Sequence, residues 1–240
     1  MPLYPAVLAP FTALPSGIAA AKALHWIVGA AAAALTGAVA GAWFDRRTGL
    51  LAGLLVAFDP FLTFSSSLLL TETPFVTALI ALWWVLRPGV RLTADWGGER
   101  RDGEPVGMVR WIGVGILSAL CVYLRESSLG LIVVALGFVI ACRRFEGKTL
   151  LGAAIALAIV VASLVPWAAR NQAVTGDWCW LTHRAGISLY DGVGPNATGA
   201  SDLGAVKQSE AVRDLDEVAW NRYFLDQALA AIRHDPGRIA

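Results

Sequence analysis

LLGAAIALAIVVASLVPWAARN, residues 150–171, carries no charge until Arg170. From Leu150 to Ala169 it matches the roughly 20 apolar residues a helix needs to cross the hydrocarbon of a bilayer. Pro166-Trp167-Ala168-Ala169-Arg170-Asn171 closes the run and opens a polar tail that continues to Ala240. Trp167 brings an amphipathic ring suited to headgroups, and Arg170 can hold its charge in water. The tail therefore begins at a membrane surface.

The rest of the chain agrees with this start. Of its 240 residues, 57% are hydrophobic and 15% charged, against about 45–50% apolar and about 25% charged in soluble domains. A net charge of +1 with no Lys/Arg stripe excludes nucleic acid as a partner. The three cysteines form no disulfide framework: Cys121 and Cys142 lie in apolar runs and Cys179 stands alone in the tail. Met1-Pro2-Leu3-Tyr4-Pro5 lacks the positive start of a cleavable signal.

The hydropathy pattern predicts an all-α integral membrane protein with about six transmembrane helices. They run Ile18–Phe44, Leu50–Leu70, Pro74–Leu86, Trp111–Leu124, Ser128–Cys142 and Leu150–Ala169. The third, fourth and fifth are short for a span and call for a thinned bilayer or a bundle interior. Arg46 and Arg47, then Arg87, Arg91, Arg100, Arg101 and Arg110, then Arg143, Arg144 and Lys148 fall in alternate loops. Positive charge favours the cytoplasm, so these loops are expected there. Residues 1–17 then form an extracytoplasmic segment, 18–169 a multi-span domain with a cytoplasmic loop at 87–110, and 170–240 an extracytoplasmic, partly helical segment. In the tail, Gln172 to Gly204 reads as irregular or short-stranded, and Ser209 to Arg233 as a helix started by Ser209, Glu210 and Asp214.

Few residues offer chemistry. Glu72, in Thr71-Glu72-Thr73-Pro74, lies between two apolar runs. There it can bind a sugar hydroxyl, orient a cation or act as a base, or it can simply sit at a helix N-terminus, where negative charge is favourable. Arg125-Glu126 interrupts otherwise continuous apolar sequence: either the two charges pair in an ordinary turn, or Arg125 faces the phosphate of a lipid-linked ligand. Asp59, followed by Pro60, falls near mid-bilayer, where an acid is functional or structural. Snorkelling accounts for Lys22 and His25. His183 and His234 have no metal-ligand spacing around them. There is no P-loop, dinucleotide fingerprint, nucleophile elbow or zinc protease motif. Asn196-Ala197-Thr198 fits a glycosylation sequon.

The order of four blocks resembles the GT-C superfamily of membrane glycosyltransferases, and within it the branch of protein O-mannosyltransferases and lipid A aminoarabinose transferases. The blocks are Leu3-Tyr4-Pro5; Phe44-Asp45-Arg46-Arg47-Thr48-Gly49 with its following span to Asp59-Pro60; Leu70-Thr71-Glu72-Thr73-Pro74-Phe75; and Pro166-Trp167-Ala168-Ala169-Arg170-Asn171 with Gly176, Gly186-Ile187-Ser188-Leu189, Gly192 and Asn196-Ala197-Thr198-Gly199. The resemblance implies transfer of a sugar, with inversion, from a polyprenyl-phosphate donor to a protein, lipid or glycan acceptor on the extracytoplasmic face. It implies a bacterial inner membrane. It assigns the base to an acidic outer loop expected ahead of Tyr4-Pro5, and further spans after residue 240, so the chain is expected to be incomplete at both ends. Glu72 then becomes a substrate-binding candidate, with Arg125 and Arg170 as candidates for the lipid phosphate. No cofactor is expected, and a divalent metal stays open. The competing reading is a non-catalytic multi-span protein, a transporter half or assembly partner, for which Asp59 is the one clear mid-span charge.

Overall fold

The computed structural model describes residues 3–86, 107–143, 145–195, 197 and 214–239. Regular structure among them is entirely helical, and the chain divides into two compact units, Met1–Ser163 and Leu164–Ala240. The loop expected at 87–110 falls outside the described residues except for its last few, as do Arg144, most of the Asn196-Ala197-Thr198 sequon and the expected helix start at Ser209 and Glu210.

The first unit begins with a short helix α1 (Leu3–Leu8) and a 3-10 turn (Ala9–Ala13). The long apolar helix α2 (Gly17–Trp43) follows, and after a two-residue turn comes α3 (Arg46–Ala57). Asp45 makes that turn. Its carboxylate accepts from the Arg47 and Thr48 amides at 2.8 and 3.0 Å and from the Thr48 hydroxyl at 2.9 Å. Two orphan donors of the helix start are thereby satisfied. These bonds hold the Asp45 carboxyl below the usual carboxylate range.

Glycines bring α2 and α3 together. A Cβ placed on Gly49 would lie 2.6 Å from the Gly37 carbonyl oxygen and 2.7 Å from the Gly41 Cα, and one on Gly53 would lie 3.1 Å from the Ala33 oxygen. Gly37 and Gly41 on one helix face Gly49 and Gly53 on the other, each pair four residues apart and so on one face. Small residues at such spacing let backbones approach inside an apolar medium, where packing rather than water drives association.

The run read as one span at Leu50–Leu70 is broken. Helix α3 ends at Ala57 and α4 (Pro60–Ser67) starts three residues later, bent by 45°. Asp59 is the cause. Pro60 forces the preceding residue out of helical geometry and suits a first helical position. The Asp59 carboxylate then caps α4, accepting from the Leu62 amide at 2.7 Å. The mid-run acid thus has a structural partner.

Helices α5 (Glu72–Leu86), α6 (Met108–Leu124) and α7 (Ser128–Cys142) complete the bundle with the first half of α8 (Gly147–Thr175). Trp111 of α6 covers Gly152 of α8 so closely that a Cβ there would overlap the indole ring, and one on Gly115 would lie 2.9 Å from Ile159 and 3.1 Å from the Ala156 Cα. By length and hydropathy, α2 and α8 are each able to cross a membrane, and the bent α3–α4 pair makes a third if it is one span. Helices α5, α6 and α7 hold 15, 17 and 15 residues. At about 1.5 Å per residue each falls short of a bilayer core of about 30 Å.

The second unit starts inside α8, which runs on through Pro166 and past Arg170-Asn171 to Thr175. The tail's first helix, α9 (Ala185–Val193), falls in the segment read as irregular or short-stranded. It packs on α10 (Glu217–His234), where Ile187 and Phe224 are buried among Tyr190, Trp220 and Tyr223. Gly186 permits the contact, since a Cβ there would strike the Asn221 carbonyl, and the Asn221 side-chain oxygen accepts from the Gly186 amide at 2.7 Å. Asp216, rather than Asp214, caps α10, accepting from the Ala219 amide at 2.7 Å.

Candidate functional site

Glu72 and Arg125 meet in the first unit. Glu72 is the first residue of α5, and Arg125 ends α6 in an extended conformation that turns the chain toward α7. The Arg125 guanidinium lies 3.5 Å from a Glu72 carboxylate oxygen and 5.7 Å from the centre of the Phe75 ring, one turn along α5. The side chains are 44% and 23% exposed for Arg125 and Glu72. An ion pair this open contributes about 0–1 kcal/mol to stability, so folding alone demands little of it. Both the guanidinium and the carboxylate remain within reach of a ligand.

A polar layer supports this pair. Tyr4 donates its phenol hydrogen to the Leu69 carbonyl. Its oxygen lies 3.2 Å from His25 Nε2. A phenol has one hydrogen to give, so when that hydrogen goes to Leu69 the oxygen is left to accept from His25. His25 is only 3% exposed, and Nδ1 has no partner among the described residues. It does not snorkel. Burial pushes the Tyr4 phenol up from its ordinary value, and the nearby Glu72 carboxylate adds to the rise. Below the tyrosine, Ser66 and Thr73 share a buried hydroxyl bond of 2.9 Å, and Gly29 of α2 leaves room for both. The Thr77 hydroxyl reaches the Val28 carbonyl at 3.1 Å.

The residue Tyr4 grips is itself constrained. Leu69 has φ 55°, the left-handed region, and the Leu70 amide bonds back to the Ser65 carbonyl at 3.0 Å. That is the glycine-type ending of a helix made with leucine, at a cost of about 1–2 kcal/mol. Tyr4 thereby pins the turn that delivers Glu72 three residues later.

Arg170 belongs to the second unit. Its guanidinium stacks over the Trp167 ring at 4.9 Å and donates to the Asn171 side-chain oxygen at 3.3 Å. Nearby, His183 Nδ1 lies 3.8 Å from an Asp177 carboxylate oxygen, while Nε2 is buried without a partner. Sequence spacing concealed this pair, because it depends on how the loop after α8 folds.

No group of three or more His, Cys, Asp or Glu side chains suited to a metal occurs among the described residues. An apolar recess of about 630 Å³ lies elsewhere in the first unit, lined by Trp43 of α2, Trp83 of α5 and Phe138 of α7, with Cys142 at its edge. Comparison with family models, characterised proteins and solved structures finds no match to this chain.

Proposed function

We propose that the chain is a membrane glycosyltransferase, or a part of one, that moves a sugar from a polyprenyl-phosphate donor to an acceptor on the extracytoplasmic face. The observation that carries the reading is the Glu72–Arg125 pair. Two residues 53 positions apart, each singled out from sequence for this chemistry, meet from two separate turns with an aromatic ring beneath the cation. A guanidinium matches a phosphate oxygen pair and keeps its charge at any working pH. Fixed cations of this kind stabilise charge as it builds on a leaving phosphate. A carboxylate beside it can hold the hydroxyls of the sugar being transferred. In this reading Arg125 binds the donor phosphate and Glu72 orients the sugar, with Arg170 kept as a second phosphate candidate. The acceptor's base is assigned to none of the three.

The topology belongs to the same proposal. Arginine-bearing connectors stay in the cytoplasm, which puts the Glu72 turn, the Arg125 turn and the tail on the opposite side of six spans. The membrane is taken as a bacterial inner membrane. The transport reading had Asp59 as its one clear mid-span charge, and that carboxylate caps α4.

The test is donor binding, measured on the purified chain in nanodiscs with a short polyprenyl phosphate and with its glycosylated form. Arg125→Ala is expected to weaken both by 10- to 100-fold, the range of a lost charge-assisted hydrogen bond of about 1.5–3 kcal/mol. Arg125→Lys is expected to recover only part of it. Glu72→Gln is expected to weaken the sugar-bearing donor alone. Equal binding by wild type and all three variants would sink the proposal. So would cysteine labelling that puts Gly192 and Arg100 in one compartment.

A further inference from the structure

The loop that follows α8 turns back along that helix. Two hydrogen bonds fix its course. The Asn171 side-chain nitrogen Nδ2 donates to the Cys179 carbonyl at 2.9 Å, and the Trp167 indole nitrogen donates to the Leu181 carbonyl at 2.9 Å. Chain position rises from 179 to 181 as the helix partner falls from 171 to 167. The loop therefore runs back down the helix it has just left. Gly176, at φ 74°, makes the reversal possible, in a backbone region that glycine enters without penalty. From Thr175 back to Trp167 is eight residues of helix, or about 12 Å of descent.

The level it reaches is set by α8 itself. Leu150 to Trp167 spans about 27 Å of helix, close to the thickness of a hydrocarbon core. Trp167 thus marks the edge of the apolar layer if α8 crosses a bilayer. At that edge the loop presents Trp178 and Trp180, 49% and 42% exposed, with ring centres 5.7 Å apart in an edge-to-face pair. Arg170, one turn beyond Trp167 on α8, is exposed and stacked on the Trp167 ring. Indole rings favour the headgroup layer, where an apolar face and a polar N–H are both accommodated. Guanidinium there meets lipid phosphate.

We infer that the segment from Gly176 to His183 is an interfacial anchor. Trp178 and Trp180 insert among the lipid headgroups at the level of Trp167, and Arg170 pairs with their phosphates. The occupant of this aromatic surface is the bilayer that α8 crosses. The inference rests on α8 as a span and not on glycosyl transfer, and it holds whichever side of the membrane the tail occupies.

Depth measurements decide it. The full chain, with Cys142→Ser and Cys179→Ser and with the fully buried Cys121 retained, is spin-labelled in turn at Thr175→Cys, Trp178→Cys and Trp180→Cys. It is reconstituted in nanodiscs of phosphatidylethanolamine and phosphatidylglycerol. Relaxation by oxygen against a water-soluble nickel chelate then gives depth. Labels at 178 and 180 are expected to sit among the headgroups, deeper than the label at 175 by about 6–12 Å of helix rise. Because labelling removes the indole under study, a second measurement keeps both rings. The emission lost between wild type and Trp178→Phe/Trp180→Phe is tested with lipids brominated near the headgroup and with aqueous iodide. Quenching by the brominated lipid is expected. Labels at 178 and 180 as accessible to nickel as the label at 175, with the lost emission quenched by iodide alone, would overturn the anchor. Stacking on a soluble carbohydrate would give that second result.

Discussion

Adding one methyl group at Gly49 should separate α2 from α3. The backbone distances across the seam set the scale. The new carbon would sit 2.6 Å from the Gly37 oxygen, 2.7 Å from the Gly41 Cα and 2.8 Å from the Gly41 nitrogen. All three are backbone atoms, so no rotamer change relieves the clash. Ordinary contact begins near 3.4 Å, which leaves the helices to move apart by roughly 0.6–0.8 Å, enough to forfeit a large share of the dispersion energy along the seam. Overpacking of this kind costs about 1–3 kcal/mol. Against it stands the better helix propensity of alanine, about 0.8–1.0 kcal/mol. A control isolates the first term. Gly137 lies mid-helix in α7, and a Cβ there meets nothing within 4 Å. Gly137→Ala should gain the propensity and suffer no clash. The two variants are therefore expected to differ by about 1–3 kcal/mol, with Gly49→Ala the weaker. Reversible unfolding in mixed micelles, followed by circular dichroism at increasing SDS mole fraction, measures the difference directly. A Gly49→Ala protein as stable as Gly137→Ala would refute the close glycine seam.

Three further outcomes follow from the same geometry. Tyr4→Phe deletes the bonds to Leu69 and His25 and should cost about 1–3 kcal/mol, the penalty for leaving a buried partner unpaired, read in the same unfolding assay. Phe145, exposed and held at φ 59° after α7, should gain about 1 kcal/mol on change to glycine, while glycine at a right-handed exposed position such as Val134 should lose stability. Asp45 titrates in the usual acid range when unfolded and lower when folded. Its contribution is thus complete above its unfolded value and disappears as pH falls through the folded one. Asp45→Asn, which keeps the cap but not the charge, should flatten that acid limb of stability against pH.

What could be read in advance was whatever is local. Helix α7 has the limits expected from sequence, Ser128–Cys142, because Arg125-Glu126 and Arg143 bracket an unbroken apolar run. The long helices α2 and α8 announce themselves the same way. Glu72 and Arg125 stood out as charges in apolar surroundings, yet their meeting depends on how α5 and α6 lie together, which no local pattern encodes. Asp59 was visible as a mid-run acid, but its task was not: a cap with proline behind it breaks a helix that hydropathy alone would leave whole. His25 misled because its partner Tyr4 lies 21 residues away in sequence. The tail misled for the opposite reason. Hydropathy falls at Arg170, but helical hydrogen bonding does not depend on hydropathy, and α8 continues to Thr175.

The bond from Tyr4 to Leu69 joins segments 65 residues apart. A ribosome finishes Tyr4 long before Leu69 exists, at roughly 5–20 residues per second. For those several seconds the Tyr4 hydroxyl lacks its Leu69 acceptor. That bond can form only after α2, α3 and α4 have been made, so a segment made before all three settles after them. Interrupting synthesis between the two should leave Tyr4 open to a protease that the finished chain resists.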